Sequence, residues 1–256
     1  VCSIYSYQEL FGLKVIANTN FPRRALSEVF RAATDEIRGA IPTLVGLTPP
    51  GMTLLIHPYM DKDTGLMMLY DRPELMEELM DMLWQIDLVF LGAAADCGVD
   101  IYRIAVNGYE WLSPSLYESY MIPQARQVAQ FAEYHGALSW VHTCGKLRDI
   151  ASSEAYQRMG VGVVESLSSP PTGDVVDLAE TRRDIGDSIV TRGGINCELF
   201  YAEDADDLRA RTEYVLESTS GFRHIIGDTN PPFPPYPWRN IEALMEVVRS
   251  TQRSPA

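Results

Sequence analysis

From about residue 40 onward the chain alternates short apolar runs with longer stretches in which apolar residues recur at three- and four-residue steps. The short runs cover residues 41–47, 101–106, 138–144, 161–167, 188–193 and 222–228. Most lack the polar alternation of a half-exposed strand, which predicts strands buried on both faces, as parallel strands are. The longer stretches predict helices with clear punctuation. Asp71 and Pro73 open one in which Leu75, Leu79, Met82, Ile86, Phe90 and Ala93 form a stripe. Ser113 before Pro114 is a good cap and first-turn pair, because the serine accepts an orphan N–H and the proline has none to lose. Gly136, Gly160, Gly186 and Gly221 each follow a helical stretch and precede a strand, where a helix ends on a left-handed residue. A last helix is expected over residues 238–249, after a proline cluster.

Six successive strand–helix units predict an α/β protein with a parallel sheet. A doubly wound sheet and a (β/α)8 TIM barrel both fit that alternation. Neither GxGxxG nor GxxxxGK[ST] follows any predicted strand, so the doubly wound nucleotide folds lose their fingerprint. Polar residues instead gather at the carboxyl ends of several strands, where barrel enzymes keep their chemistry. The expectation is one barrel domain over residues 1–256, with the first 40 residues unreadable and the barrel incomplete at its amino terminus. The chain opening on Val1 rather than Met is consistent with a missing upstream piece.

Composition narrows the function classes. With 256 residues and 46% apolar content the chain can bury a sizeable core. A formal charge of −14 argues against nucleic acid as the main partner, because phosphate binding needs a basic face. No apolar run reaches the ~18 residues of a membrane span, and no basic-then-apolar leader is visible. The cysteines, Cys2, Cys97, Cys144 and Cys197, are too sparse for a disulfide scaffold, which predicts reduced thiols and a cytoplasmic location.

The chemistry centres on the strand ending in His142-Thr143-Cys144-Gly145. Residues two apart on a strand point to the same face, so His142 and Cys144 project together. Imidazole plus thiolate is a borderline-soft pair suited to zinc, although a core histidine beside a buried thiol would read the same way. The last strand ends in Gly227-Asp228-Thr229-Asn230, and Asp228 is a candidate third ligand or acid/base, or simply a capping carboxylate. On strict period two His224 and Ile226 would share its face, and only a bulge would turn His224 away. The run Arg192-Gly193-Gly194-Ile195-Asn196-Cys197 offers glycines for close backbone approach and an amide for hydrogen bonding, and a tight turn would want the same residues. Glu165 at one strand end, and Asn107 and Glu110 after another, are further candidates for the mouth, with Asn230 as a substrate contact.

The ordered set of segments resembles the uroporphyrinogen decarboxylase superfamily. Those segments are Gly98-Val-Asp100, Leu112-Ser-Pro114 with Pro123, His142-Thr-Cys-Gly145, Pro170-Pro-Thr-Gly-Asp174 with Asp177-Leu-Ala179, Gly193-Gly-Ile-Asn196, and Gly227-Asp228 leading to Asn240. The resemblance implies a (β/α)8 barrel, and it is closer to the cobalamin-dependent methyltransferase branch. That branch carries His-x-Cys and a later cysteine on zinc, and here Asp228 stands where the later cysteine falls. The resemblance therefore implies zinc on His142, Cys144 and Asp228, a thiol acceptor or small methyl donor oriented by Glu165 and Asn196, and a corrinoid carried on a partner protein. Porphyrinogen decarboxylation is the rival. Against it stand the missing arginine-rich start and Gly227-Asp228-Thr229 in place of Gly-His-Gly. A barrel that binds without catalysis is the third reading.

Overall fold

The computed structural model describes residues 23–35, 40–51, 61–107, 111–230 and 232–253. Among them are six strands, all in one sheet and in chain order, with every described pairing parallel. A parallel pair needs a crossover, and helices supply it each time, as the alternation predicted. The contacts gather into two compact units, one of Val1–Val106 with Leu112–Trp140 and one of Asn107–Trp111 with Val141–Ala256.

The first unit holds β1 (Leu44–Leu47), β2 (Ile101–Asn107) and the start of β3 (Leu138–Cys144), with helices α1 (Arg23–Thr34), α2 (Lys62–Asp71) and α3 (Pro73–Asp96). It also holds α4 (Pro114–Leu116), which passes through a π turn (Tyr117–Met121) into α5 (Ile122–Tyr134). Asp100 ties the strand starts together. Its carboxylate accepts the Thr43 N–H at 2.7 Å and hydroxyl at 2.8 Å, while its carbonyl accepts the Leu138 N–H at 2.9 Å. Those donors hold the Asp100 carboxyl below the usual range. Ser113 caps α4 through the Leu116 N–H, as its position before Pro114 predicted. In α3 burial spreads beyond the predicted stripe, to Met76, Met80, Leu83 and Ala94 as well as Leu79 and Met82. Helix α1 lies against it, with Arg23 forked onto Asp96 and Phe30 meeting Phe90 edge-on at 5.2 Å.

The second unit holds the rest of β3, β4 (Val163–Ser166), β5 (Val190–Ile195) and β6 (His224–Asp228). Its helices are α6 (Arg148–Ser152), α7 (Ala155–Met159), α8 (Leu178–Ile185), α9 (Asp206–Ser218) and α10 (Trp238–Arg253), with a 3-10 turn at Cys197–Tyr201. Val164, Leu178, Ile185, Ile195, Leu208 and Val215 are buried between sheet and helices. Arg182 of α8 is fully buried as well, donating to the Gly186 and Ile189 carbonyls beneath the Phe222 ring. A side chain at Gly193 would strike the Ser166 carbonyl oxygen at 2.1 Å, so only glycine lets β5 lie this close to β4.

A cavity of about 430 Å³ in the first unit is lined by Leu47, Ile86, Phe90, Arg103 and the carboxyl of Asp87. Burial pushes Asp87 from 3.8 up to about 7. A carboxyl raised in this way binds more protons folded than unfolded between those values, so stability falls as pH rises from about 4 through about 7. Asp87→Asn removes the ionised form. It is expected to flatten that dependence and to raise Tm at pH 8 by at least ~2 °C, measured by thermal unfolding across pH 5–8.5.

Candidate functional site

The second unit gathers its polar chemistry at the carboxyl ends of β3 to β6. His142 is 7% exposed, and its Nε2 lies 2.8 Å from Cys144 Sγ, so the two residues do share a face. On the other side of the ring, Nδ1 lies 2.8 Å from Glu165 Oε1 and 3.1 Å from Ser166 Oγ. A carboxylate can only accept, so Nδ1 carries the proton, leaving the Nε2 lone pair to face the Cys144 thiol. Glu165 is itself 5% exposed. Its second oxygen lies 3.5 Å from Arg192 Nη1. That guanidinium also holds Asp228, through Nη2 to the carboxylate at 2.5 Å and Nη1 to the main-chain carbonyl at 2.9 Å. The result is a chain of hydrogen bonds and ion pairs running thiol, imidazole, carboxylate, guanidinium, carboxylate across four strands.

Ser166 and Leu167 close β4 with φ of 95° and 53°, consecutive left-handed residues without glycine. Such backbone costs on the order of 1–3 kcal/mol per residue and persists where surrounding contacts over-determine it. Here the contacts include the Ser166 hydroxyl on His142. Sequence reasoning passed over Ser166 entirely; its only signal was adjacency to Glu165.

The other expected residues divide. Asn196 is buried and makes a reciprocal amide pair with Ser169, accepting its N–H at 3.1 Å and donating to its carbonyl at 3.0 Å, so it clamps the loop after β4. Gly193 and Gly194 adopt φ of 125° and 93°, and their freedom is used in strand and helix packing. Asp174 accepts the Leu147 and Arg148 N–H groups, anchoring the turn that follows His142-Thr-Cys-Gly145. Arg148, in the same turn, pairs with Asp184 of α8 at 2.8 Å. Asn230 follows β6 and is half-buried. Glu110 and the Asn107 side chain lie outside the described residues. Cys197 is a free, half-buried thiol pushed up by burial and by Glu198.

His224 departs from the strict alternation. Its Nδ1 bonds the Thr191 hydroxyl at 2.9 Å, while Asp228 takes the neighbouring Arg192, and consecutive residues on β5 point to opposite faces. Thr191 is fully buried, so His224 belongs to the sheet's packed side.

His142 and Cys144 are donor types that a soft divalent ion such as zinc takes, and they supply two of the three protein ligands a catalytic zinc site uses. A neutral imidazole nitrogen and a sulfur stand side by side, and a carboxylate behind the ring fixes its orientation as zinc-bound histidines require. Asp228 does not join them as a third ligand. Among the described residues no group of three His, Cys, Asp or Glu side chains is placed to hold a metal ion.

A parallel α/β sheet carrying its polar residues at the strand carboxyl ends is the signature of the TIM-barrel class. The chain belongs to the uroporphyrinogen decarboxylase (URO-D) family, whose model matches residues 4–251. A uroporphyrinogen decarboxylase of Crocosphaera subtropica is 22% identical over 187 residues, covering 73% of this chain and 50% of that protein. One of Syntrophotalea carbinolica is 22% identical over 237 residues, covering 89% and 65%. The chain thus spans about half the length of the first of these relatives. Among solved structures, a methyltransferase from Methanosarcina mazei superposes with a TM-score of 0.71 at 16% identity, covering 89% of this chain and 64% of that one, which establishes the common fold. No described helix is long and apolar enough to cross a membrane.

Burial lowers His224 from 6.5 to about 4. A histidine depressed in this way favours the fold while neutral, so its contribution is whole above about 6.5 and is lost as pH falls through about 4. His224→Gln is expected to flatten the acid limb of stability between those values, read as urea midpoints at pH 4 to 7.

Proposed function

We propose that this chain is the barrel of a zinc-assisted methyltransferase, moving a methyl group between a corrinoid carried on a partner protein and a small thiol acceptor or methyl donor. The observation that carries the reading is the His142–Cys144 pair with a buried carboxylate behind the imidazole. His142 and Cys144 are the residues that would hold the zinc. When bound, zinc lowers the pKa of a coordinated thiol, supplying thiolate at neutral pH. Glu165 and Ser166 keep the His142 proton on Nδ1, so that Nε2 remains a donor atom. Arg192 balances the charge of Glu165 and draws Asp228 to itself. A zinc held by this pair would take the acceptor thiol as a further ligand. Asn196, paired with Ser169, acts on the acceptor through the shape of the loop rather than by touching it.

The rival reading, uroporphyrinogen decarboxylation in porphyrin biosynthesis, draws support from the similarity to the uroporphyrinogen decarboxylases of Crocosphaera subtropica and Syntrophotalea carbinolica. It uses no metal, which separates the two. Metal analysis of the purified chain after zinc loading and desalting is expected to give bound zinc that His142→Ala loses and that Glu165→Gln holds about 10- to 100-fold more weakly. Methyl transfer from methylcobalamin to 2-mercaptoethanol should fall in the same order. Undiminished methyl transfer by zinc-free protein would overturn the proposal, as would metal-independent decarboxylation of uroporphyrinogen.

A further inference from the structure

The first unit contains a second cavity, of about 220 Å³, between α3 and the helix that carries the π turn. One wall is a single stripe of α3. Glu77, Asp81 and Trp84 sit at i, i+4 and i+7, so all three face the same way. Tyr120 forms the opposite wall. It lies inside the π turn Tyr117–Met121, where one extra residue per turn re-aims side chains, a feature common at functional sites. The floor is fixed. The Gln124 side-chain oxygen accepts the Gly51 N–H at 2.9 Å, and its nitrogen donates to Met80 Sδ at 3.3 Å.

The electrostatics of this cavity are one-sided. Glu77 and Asp81 are like charges one helical turn apart, an arrangement that destabilises an isolated helix. None of the described lining residues is basic. The Tyr120 phenol is pushed up by its burial and then by the Glu77 carboxylate, to which its hydroxyl donates a hydrogen bond, so the phenol stays neutral and bridges the two walls. Glu77 and Asp81 are exposed and edge the cleft beside the half-buried Trp84 and Tyr120, a setting that a cation relieves and an anion aggravates. An alkylated ammonium suits it better than a metal ion, because the lining includes Trp84 and Tyr120, residue types whose rings attract a diffuse cation, and the weak thioether of Met80. The volume suits a head group with a few carbon substituents rather than a long chain.

We propose that the cleft between α3 and the π turn binds the alkylated ammonium head of a small molecule, held over Trp84 and Tyr120 and neutralised by Glu77 and Asp81. This site goes beyond the methyltransferase reading and does not rest on it. Calorimetric titration of the whole chain with tetramethylammonium chloride, beside the neutral isostere tert-butanol, tests it. Saturable heat with the cation and none with the alcohol is expected. Trp84→Leu, and separately the double variant Glu77→Gln with Asp81→Asn, should each weaken the cation about tenfold without lowering the thermal midpoint. Tyr134→Phe, at an exposed position of α5 outside the cleft lining, serves as the folded control, expected to bind within about twofold of the parent. Equal binding of tert-butanol, no saturable heat with the cation, or unchanged affinity in the Trp84 and carboxylate variants would each overturn the proposal. So would tighter binding of Nα-acetyllysine amide, which would assign the cleft to a protein side chain.

Discussion

A carboxylate removed from water must be answered by charge or by hydrogen-bond donors, and Glu165 imposes that constraint on its surroundings. It sits on a strand buried throughout its length, at a position where the parallel register places Arg192 directly beside it. One of its oxygens takes the imidazole N–H and the other faces the guanidinium. The first contact chooses the His142 tautomer, and the tautomer decides what Cys144 meets. The second ties the far edge of the constellation, at Asp228, to the centre. Removing the Glu165 charge would leave Arg192 with one carboxylate partner and His142 free to exchange its proton between nitrogens.

Much of the fold was legible because parallel buried strands write themselves as unbroken apolar runs. All six runs became strands, and the four glycines after helices adopted positive φ as their positions required. The differences have local causes. Strand β1 begins at Leu44 rather than 41, because the Asp100 carboxylate takes the Thr43 N–H and hydroxyl at the strand's start. Strand β5 runs on to Ile195, past the paired glycines that a close backbone approach or a tight turn would equally want, since Gly193 and Gly194 keep their pairing with β6.

The site was legible only in its local part. His142 and Cys144 stand two apart on one strand, so period two alone brings them together. Nothing local could reveal that Arg192 would claim Asp228, because the two residues lie on different strands and meet only once β5 and β6 are in register. The same holds for Asn196. An amide after two glycines looks ready for a ligand until the loop after β4 presents the Ser169 backbone to it. His224 failed for a different reason: alternation was applied along a strand end, where Asp228 reaches Arg192 while its register partner is Ile195.

The pairing of Asp228 bears on what this position can do. An oxygen accepting a short charge-assisted bond from a guanidinium has much of its electron density engaged, and to serve a cation it would have to release Arg192. Arg192 would then keep only the long contact to Glu165 and the bond to the Asp228 carbonyl. Two positive centres would compete for the carboxylates of one small region. The arrangement therefore favours Asp228 as the counter-charge of Arg192. The aspartate and the arginine are best understood as one unit, a fixed dipole beside the pair rather than a member of it.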